Sequence, residues 1–150
     1  MKKILFICIA LCSTLLATAQ VKCSSDCIDL DLTFKRITIN DNDAIIDFIL
    51  TNYSSKDIRV DMSGWDTRAY DDEGNCYLAK NFSFDVANTN STVGFIPPET
   101  PVKLRCYIND IDEYATKFNR IELSYFLNTK VRNTAGLKTM KILNVPFTRE

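Results

Sequence analysis

The side chains that carry most acid–base and metal chemistry are restricted in this chain, which contains no histidine. That excludes Ser-His-Asp and Cys-His arrangements and every histidine-ligated metal site. A glycosidase needs only two carboxylates in one cleft. With 19 acidic residues in the sequence, some such pair always exists, so its presence carries no signal. A small secreted enzyme using paired carboxylates is therefore the least favoured function, and we predict no catalytic residue.

Two acidic turns, residues 40–43 and 71–75, are the candidates for binding a cation. Calcium prefers oxygen ligands, and the second turn contains a glycine. However, it lacks the ligand order of the EF-hand loop and its downstream bidentate glutamate. Aspartate and asparagine also favour turns in their own right, because they tolerate left-handed backbone and bond their own main chain. We predict hairpin turns here, with no metal site and no cofactor.

Aromatic residues concentrate between positions 65 and 95. Exposed aromatic side chains on a β-sheet stack on sugar rings or anchor a protein interface. Core packing is the alternative, and it is favoured for Trp65. Tyr70 and Tyr77 flank the predicted turn at 71–75, so we select them as the surface pair, with Trp65 as a third ligand-binding candidate. The whole cluster comprises Trp65, Tyr70, Tyr77, Phe82, Phe84 and Phe95.

The first 19 residues have the order of a cleavable signal peptide. Lys2 and Lys3 precede an uncharged apolar stretch, which ends in the small-residue sequence Ala-Thr-Ala at 17–19. A retained membrane anchor is the alternative, but a spanning helix needs about 20 apolar residues and this stretch is shorter. We predict cleavage before Gln20, export to the periplasm or the medium, and no membrane span afterwards. The form of the signal resembles those of secreted bacterial proteins.

The charge of the mature chain argues against two classes of partner. Of the 18 basic residues, Lys2 and Lys3 leave with the signal, so 16 basic and 19 acidic residues remain, a net charge of −3. This balance provides no basic field for nucleic acid or for an anionic membrane surface. We therefore expect a protein or a surface glycan as the partner, and no nucleic acid.

Four cysteines remain after signal removal, and an even number in an exported protein suggests two disulfides. Cys106 and Cys76 each alternate with apolar residues on one face of a predicted strand, so we predict that they meet in the core. This leaves Cys23 to pair with Cys27. A zinc site is the alternative, but Cys-x3-Cys followed by two distant single cysteines is poor spacing for one.

Residues 20–150 are long enough for one domain, which we divide into an N-terminal segment, 20–29, and a β-domain, 30–150. Alternating apolar residues and regular turn signals predict seven or more short strands. A change of parity near Lys35 and Arg36 suggests a bulge. Asp110 and Glu113 have capping-box spacing, which predicts one short helix at 110–119. The predicted strands are 30–39, 44–51, 57–62, 65–70, 75–80, 102–108, 120–128 and 138–147.

This pattern predicts an antiparallel two-sheet sandwich of immunoglobulin-like type, with a barrel as the main alternative. Strand and turn sequence patterns follow one another in a recognisable order in three segments, 46–58, 69–77 and 96–103. In that order the chain resembles the immunoglobulin-like domains of exported bacterial proteins of uncharacterised function. The resemblance covers most of residues 30–147. It implies the fold but brings no catalytic or binding residues.

Together these features predict a secreted or periplasmic, non-enzymatic interaction module. A carbohydrate-binding module is the alternative, and it requires that the aromatic region 65–95 be exposed.

Overall fold

The computed structural model describes residues 20–85, 91–128 and 136–149. Every pairing between its named strands is antiparallel. The predicted all-β antiparallel class is thus confirmed, whereas the predicted signal, 1–19, lies outside the described residues. The strands are β1 (Lys22–Ser25), β2 (Leu30–Asn40), β3 (Asp43–Asn52), β4 (Ile58–Asp71), β5 (Cys76–Phe84), β6 (Val93–Ile96), β7 (Val102–Ile108), β8 (Lys117–Leu127) and β9 (Leu137–Pro146).

The strands form one continuous sheet in the order β1-β9-β8-β4-β5-β7-β3-β2, with β6 beside β4. The sheet curls until the strands at its two ends, β1 and β2, contact each other, so that its shape is nearly that of a closed barrel. Strand β5 joins the two halves, because Cys76–Leu78 pairs with β4 while Ala79–Phe84 pairs with β7. The strand pairing therefore does not show the two separate sheets of an immunoglobulin-like sandwich.

The core lies inside the curled sheet, where the inward residues of alternating strands meet. In β7, for example, alternate residues from Val102 to Ile108 are buried and the residues between them are half-buried. Fully burying one large apolar side chain contributes about 1.5–3 kcal/mol. The largest fully buried side chains include Tyr125, Phe48, Phe82, Phe118, Leu30, Ile46, Leu50 and Met62.

Two local predictions about the backbone are confirmed. The pairing of β2 with β3 shifts between Phe34 and Arg36, which is the predicted bulge. The β4–β5 hairpin turns at Gly74, whose φ of 92° is a conformation that glycine adopts without strain. No helix in the described part of the chain is long and apolar enough to span a membrane.

The short helix predicted at 110–119 is wrong. These residues form a turn that leads directly into β8, which begins at Lys117. Asp110 has a φ of 58°, which is incompatible with a helix start, and the Asp112 carboxylate accepts a hydrogen bond from the Tyr114 N–H at 2.8 Å. The Arg149 guanidinium donates to three backbone carbonyls of this turn, at Asp112, Glu113 and Ala115. A carboxyl-terminal residue thus provides the partners that a helix would have supplied.

The predicted Cys76–Cys106 disulfide does not fit the strand register. Cys106 is fully buried between Ile46 and Phe82, whereas Cys76 is exposed and lies opposite Tyr70. At strand spacing, Cys76 is about 20 Å along β5 from the partner of Cys106, far beyond the roughly 7 Å that a disulfide tolerates between Cα atoms.

Cys23 in β1 and Cys27 in the following loop, the other predicted pair, are half-buried and also free, so the described residues contain no disulfide. Burial raises the pKa of the Cys23 thiol, which interacts with the backbone of Phe34.

The two outlying cysteines are expected to respond differently to substitution. Cys106→Ser places a hydroxyl in an apolar core and should lower the free energy of unfolding by about 1–3 kcal/mol. Cys76→Ser at the exposed position should change it by less than about 0.5 kcal/mol. Urea denaturation of both variants provides the comparison. Equal destabilisation by the two substitutions, abolished by reductant, would instead indicate a shared disulfide.

Candidate functional site

Trp65 is the most exposed aromatic side chain in the described residues, at 83%. It lies in the middle of β4, on a stretch where pairing with β8 is interrupted. The ladder stops at Ser63, opposite Ser124, and resumes at Arg68, opposite Glu122. The surplus residues on β4 must loop out of the sheet, and such irregularities commonly re-aim a side chain.

Hydrogen bonds hold this β4 bulge, residues 64–67, in one conformation. The Ser63 hydroxyl donates to the Asp66 carboxylate at 2.6 Å, and the Ser124 hydroxyl donates to the Asp66 carbonyl at 3.0 Å. The Ser124 N–H donates to the Thr67 hydroxyl at 3.0 Å in a buried position. The bulge is therefore an ordered platform, and the exposure of Trp65 follows from it.

A groove of about 310 Å³ lies beside Trp65, along the edge of β4 opposite to β8. On that edge β4 pairs with β6 through Ile58–Asp61 and with β5 only from Arg68 onwards. The gap between these two pairings is the groove. Its buried lining residues are Met62, Ala79 and Phe82. Its exposed ones include Trp65 and Leu78, and its polar ones are Lys80, Asn81 and Thr92.

Gly64 brings the β4 bulge close to β5. A Cβ atom at this position would lie 3.1 Å from the carbonyl oxygen of Ala79, so any other residue would require a small shift of the two strands. The groove thus combines an aromatic face with an amide, an ammonium group and a hydroxyl. Ligand sites typically combine an apolar surface with a few polar groups that fix orientation.

Tyr77, one of the predicted surface pair, is engaged within the protein. Its hydroxyl donates to the Asp71 carboxylate at 2.6 Å and accepts from the Asp112 N–H at 3.0 Å, while its ring packs edge-on against Phe118. Burial and the hydrogen bond to Asp71 raise the pKa of this hydroxyl. Tyr77 joins the hairpin to the 110–116 turn and does not line the groove.

Tyr70, the other member of that pair, is half-buried and lies under the guanidinium of Arg120, 4.7 Å from the ring centroid. It is also absent from the groove lining. Of the three ligand-binding candidates, the structure therefore brings only Trp65 to the groove. The side chains that accompany it, Leu78, Lys80 and Asn81, were not among the predicted site residues.

The acidic turn at 71–75 is held together internally. Burial acts to raise the pKa of Asp71, but hydrogen bonds from Tyr77, Asn75 and the backbone N–H of Glu73 outweigh it and hold the pKa below its usual range. The pKa of Asp72 is lowered in the same way by the hydroxyl and N–H of Thr116. These shifts are opposite to the one that a general acid requires. No metal-binding group of three His, Cys, Asp or Glu residues occurs among the residues described.

A cluster of charged side chains lies on the outer side of β2, β3 and β7. The buried carboxylate of Asp47 accepts hydrogen bonds from Arg36 at 2.8 Å and Arg105 at 3.0 Å, and the Lys103 ammonium lies 3.9 Å away. Burial acts against ionisation, but these cations lower the pKa of Asp47. The residues of this cluster come from three strands, one of them distant in sequence from the other two, so no short stretch of the chain predicts it.

No protein-family model, curated protein or solved structure matches this chain. Its function must therefore be inferred from the site itself.

Proposed function

We propose that the protein is a secreted or periplasmic, non-enzymatic interaction module that binds a glycan in the groove beside Trp65. The observation that carries the proposal is the 83% exposure of Trp65, which lies on a hydrogen-bonded bulge. An aromatic side chain presents about 150–250 Å² of mostly apolar surface. Covering it releases about 25 cal/mol per Å², so a ligand stacked on Trp65 gains several kcal/mol before the costs of association.

The polar side chains of the groove favour a sugar over a purely apolar ligand. The C–H face of a sugar ring stacks on an indole, and its hydroxyls require donors and acceptors of the kind that Asn81, Lys80 and Thr92 provide. A protein partner is the alternative. The small, concave groove favours the glycan, because a protein interface covers about 800 Å² of each partner.

Export and the finer fold belong to the same proposal. Residues 1–19 direct the chain out of the cytoplasm and are then removed, which places the groove where extracellular or periplasmic glycans occur. The two halves of the curled sheet, joined by β5, serve as the two layers of an immunoglobulin-like sandwich.

Trp65→Ala is expected to weaken glycan binding strongly without affecting the fold. On a glycan array, residues 20–150 should bind a subset of glycans, and the variant should lose at least about 30-fold in affinity, the effect of a 2 kcal/mol hot spot. Its free energy of unfolding should change by less than about 0.5 kcal/mol, because the side chain is exposed.

Tyr114→Ala is the matched control, since Tyr114 is an aromatic residue of similar exposure, 72%, outside the groove lining. It should bind as the unsubstituted protein does. Absence of any glycan binding by the unsubstituted protein would overturn the proposal, and equal losses in the two variants would show that Trp65 is not the site.

A further inference from the structure

A second cavity adjoins the groove beside Trp65 at β5. This cavity has a volume of about 670 Å³ and shares two lining residues, Lys80 and Asn81, with the first. Its remaining lining comes from the β2–β3 turn, β3 and the end of β7. Strands β4, β5, β7 and β3 are consecutive neighbours in the sheet, so the two cavities lie side by side along one surface.

A register break in β5 lies where the two cavities adjoin. The pairing of β5 with β7 shifts between Ala79 and Asn81, which leaves Lys80 as the extra residue. Lys80 and Asn81 are both exposed, whereas Phe82 beyond them is buried. The side-chain oxygen of Asn81 accepts a hydrogen bond from the Phe82 N–H at 2.8 Å, which orients the amide at the junction of the two cavities.

The second cavity has the chemistry of the first, with an aromatic ring among polar groups. Tyr107 is half-buried opposite Asn81, and its hydroxyl lies 3.3 Å from that of Ser83. The Asn109 amide donates to the Asp43 carboxylate at 3.0 Å. Asp41 and Asp43 outnumber the one ammonium group, from Lys80, so the lining of this cavity disfavours an anionic ligand.

We infer that the two cavities form one binding groove for an extended, neutral glycan chain, with Trp65 and Tyr107 as its two aromatic contacts. Three strand spacings separate β4 from β3, a distance of about 14 Å, which exceeds the length of a single sugar ring. This inference rests on the proposed function, because it assigns the ligand class of the same site. A chain that occupies both cavities binds more tightly than one that reaches only Trp65.

The test is isothermal titration of residues 20–150 with neutral glucan, mannan and xylan oligomers, from disaccharide to hexasaccharide, and with a matching oligogalacturonate series. Affinity for at least one neutral series should rise about tenfold or more with length, and the uronate series should bind more weakly. Tyr107→Ala and Asn109→Ala should each remove the gain with length while leaving disaccharide binding unchanged. Trp65→Ala should remove both.

The outcomes separate the two proposals. Trp65-dependent binding that does not depend on length would overturn the extended groove and leave the proposed function standing. Tighter binding of the uronate series would contradict a neutral ligand. Failure of every series to bind would overturn the extended groove, whereas the proposed function is overturned only if the glycan array also shows no binding. Urea denaturation of each variant identifies any loss that follows from unfolding, and the two single variants in the second cavity act as checks on each other.

Discussion

Asn52→Ala is expected to lower the free energy of unfolding by about 3–4 kcal/mol, because it removes a buried side chain whose polar atoms are all hydrogen-bonded. The Asn52 amide donates to the carbonyls of Lys56 at 2.7 Å and Ile96 at 2.8 Å. Its oxygen lies 2.8 Å from the Ser54 N–H and 2.7 Å from the Ser54 hydroxyl, both of which can donate to it. One side chain thus connects the end of β3, the following turn and β6.

The size of the effect follows from the groups that the substitution leaves behind. The hydrogen bond to the Ile96 carbonyl is buried, and an unsatisfied buried acceptor costs about 1–3 kcal/mol. Ser54→Ala is the graded control, since it removes one hydroxyl from the same network and should cost about 1 kcal/mol. Urea denaturation measures both. If Asn52→Ala destabilised no more than Ser54→Ala, the network would not hold β3, the turn and β6 together.

Asp71→Asn is expected to lower the free energy of unfolding by about 2–3 kcal/mol at neutral pH. The buried Asp71 carboxylate accepts hydrogen bonds from the Tyr77 hydroxyl at 2.6 Å, the Asn75 amide at 3.0 Å, and the N–H groups of Glu73 at 3.0 Å and Asn75 at 2.8 Å. An amide in place of the carboxylate presents a donor toward two of these donors, so it cannot satisfy all four.

The loss of unfolding free energy caused by Asp71→Asn should depend on pH in a defined direction. The pKa of Asp71 in the folded protein lies below its ordinary value. Its contribution to stability is therefore fully present above the unfolded pKa of about 3.9 and is lost as the pH falls through the folded pKa. The asparagine variant has no such contribution. The difference in stability between the two proteins should thus be constant above about pH 4 and shrink below it.

Urea denaturation of both proteins over a pH series is the measurement. Asp57→Asn, the same substitution at an exposed position on the turn before β4, is the matched control and should change stability by less than about 0.5 kcal/mol. A difference between Asp71→Asn and the unsubstituted protein that stayed constant down to pH 2 would contradict an ionised, hydrogen-bonded Asp71.

The predictions that succeeded rest on neighbouring residues. Alternation places Val102, Leu104 and Ile108 inside the sheet, and a change of parity marks the bulge after Phe34. The acidic turn with its glycine predicted the hairpin at Gly74. Each depends on the two-residue period of a strand or on the conformational preference of one residue, and both are visible in a short stretch of sequence.

The predictions that failed required knowledge of distant neighbours. Cys76 alternates with Leu78 as predicted, but both are exposed, whereas Cys106 lies in the core, and the register of β5 against β7 separates the two cysteines further. The helix at 110–119 has its capping residues, but Arg149 from the end of the chain holds that segment as a turn. Trp65 was favoured for the core and Tyr77 for the surface, whereas the β4 bulge exposes the first and the hydrogen bond to Asp71 engages the second.

The sequence by itself determined that the chain is an antiparallel all-β protein and, in a strand such as β7, which residues face its core, because hydrophobic burial and strand periodicity act locally. The tertiary structure decided where a ligand can bind. The groove exists because β4 carries surplus residues relative to β8, and because β5 leaves β4 to pair with β7. Register between strands far apart in sequence is set by packing the whole sheet at once, and no short stretch of residues encodes it.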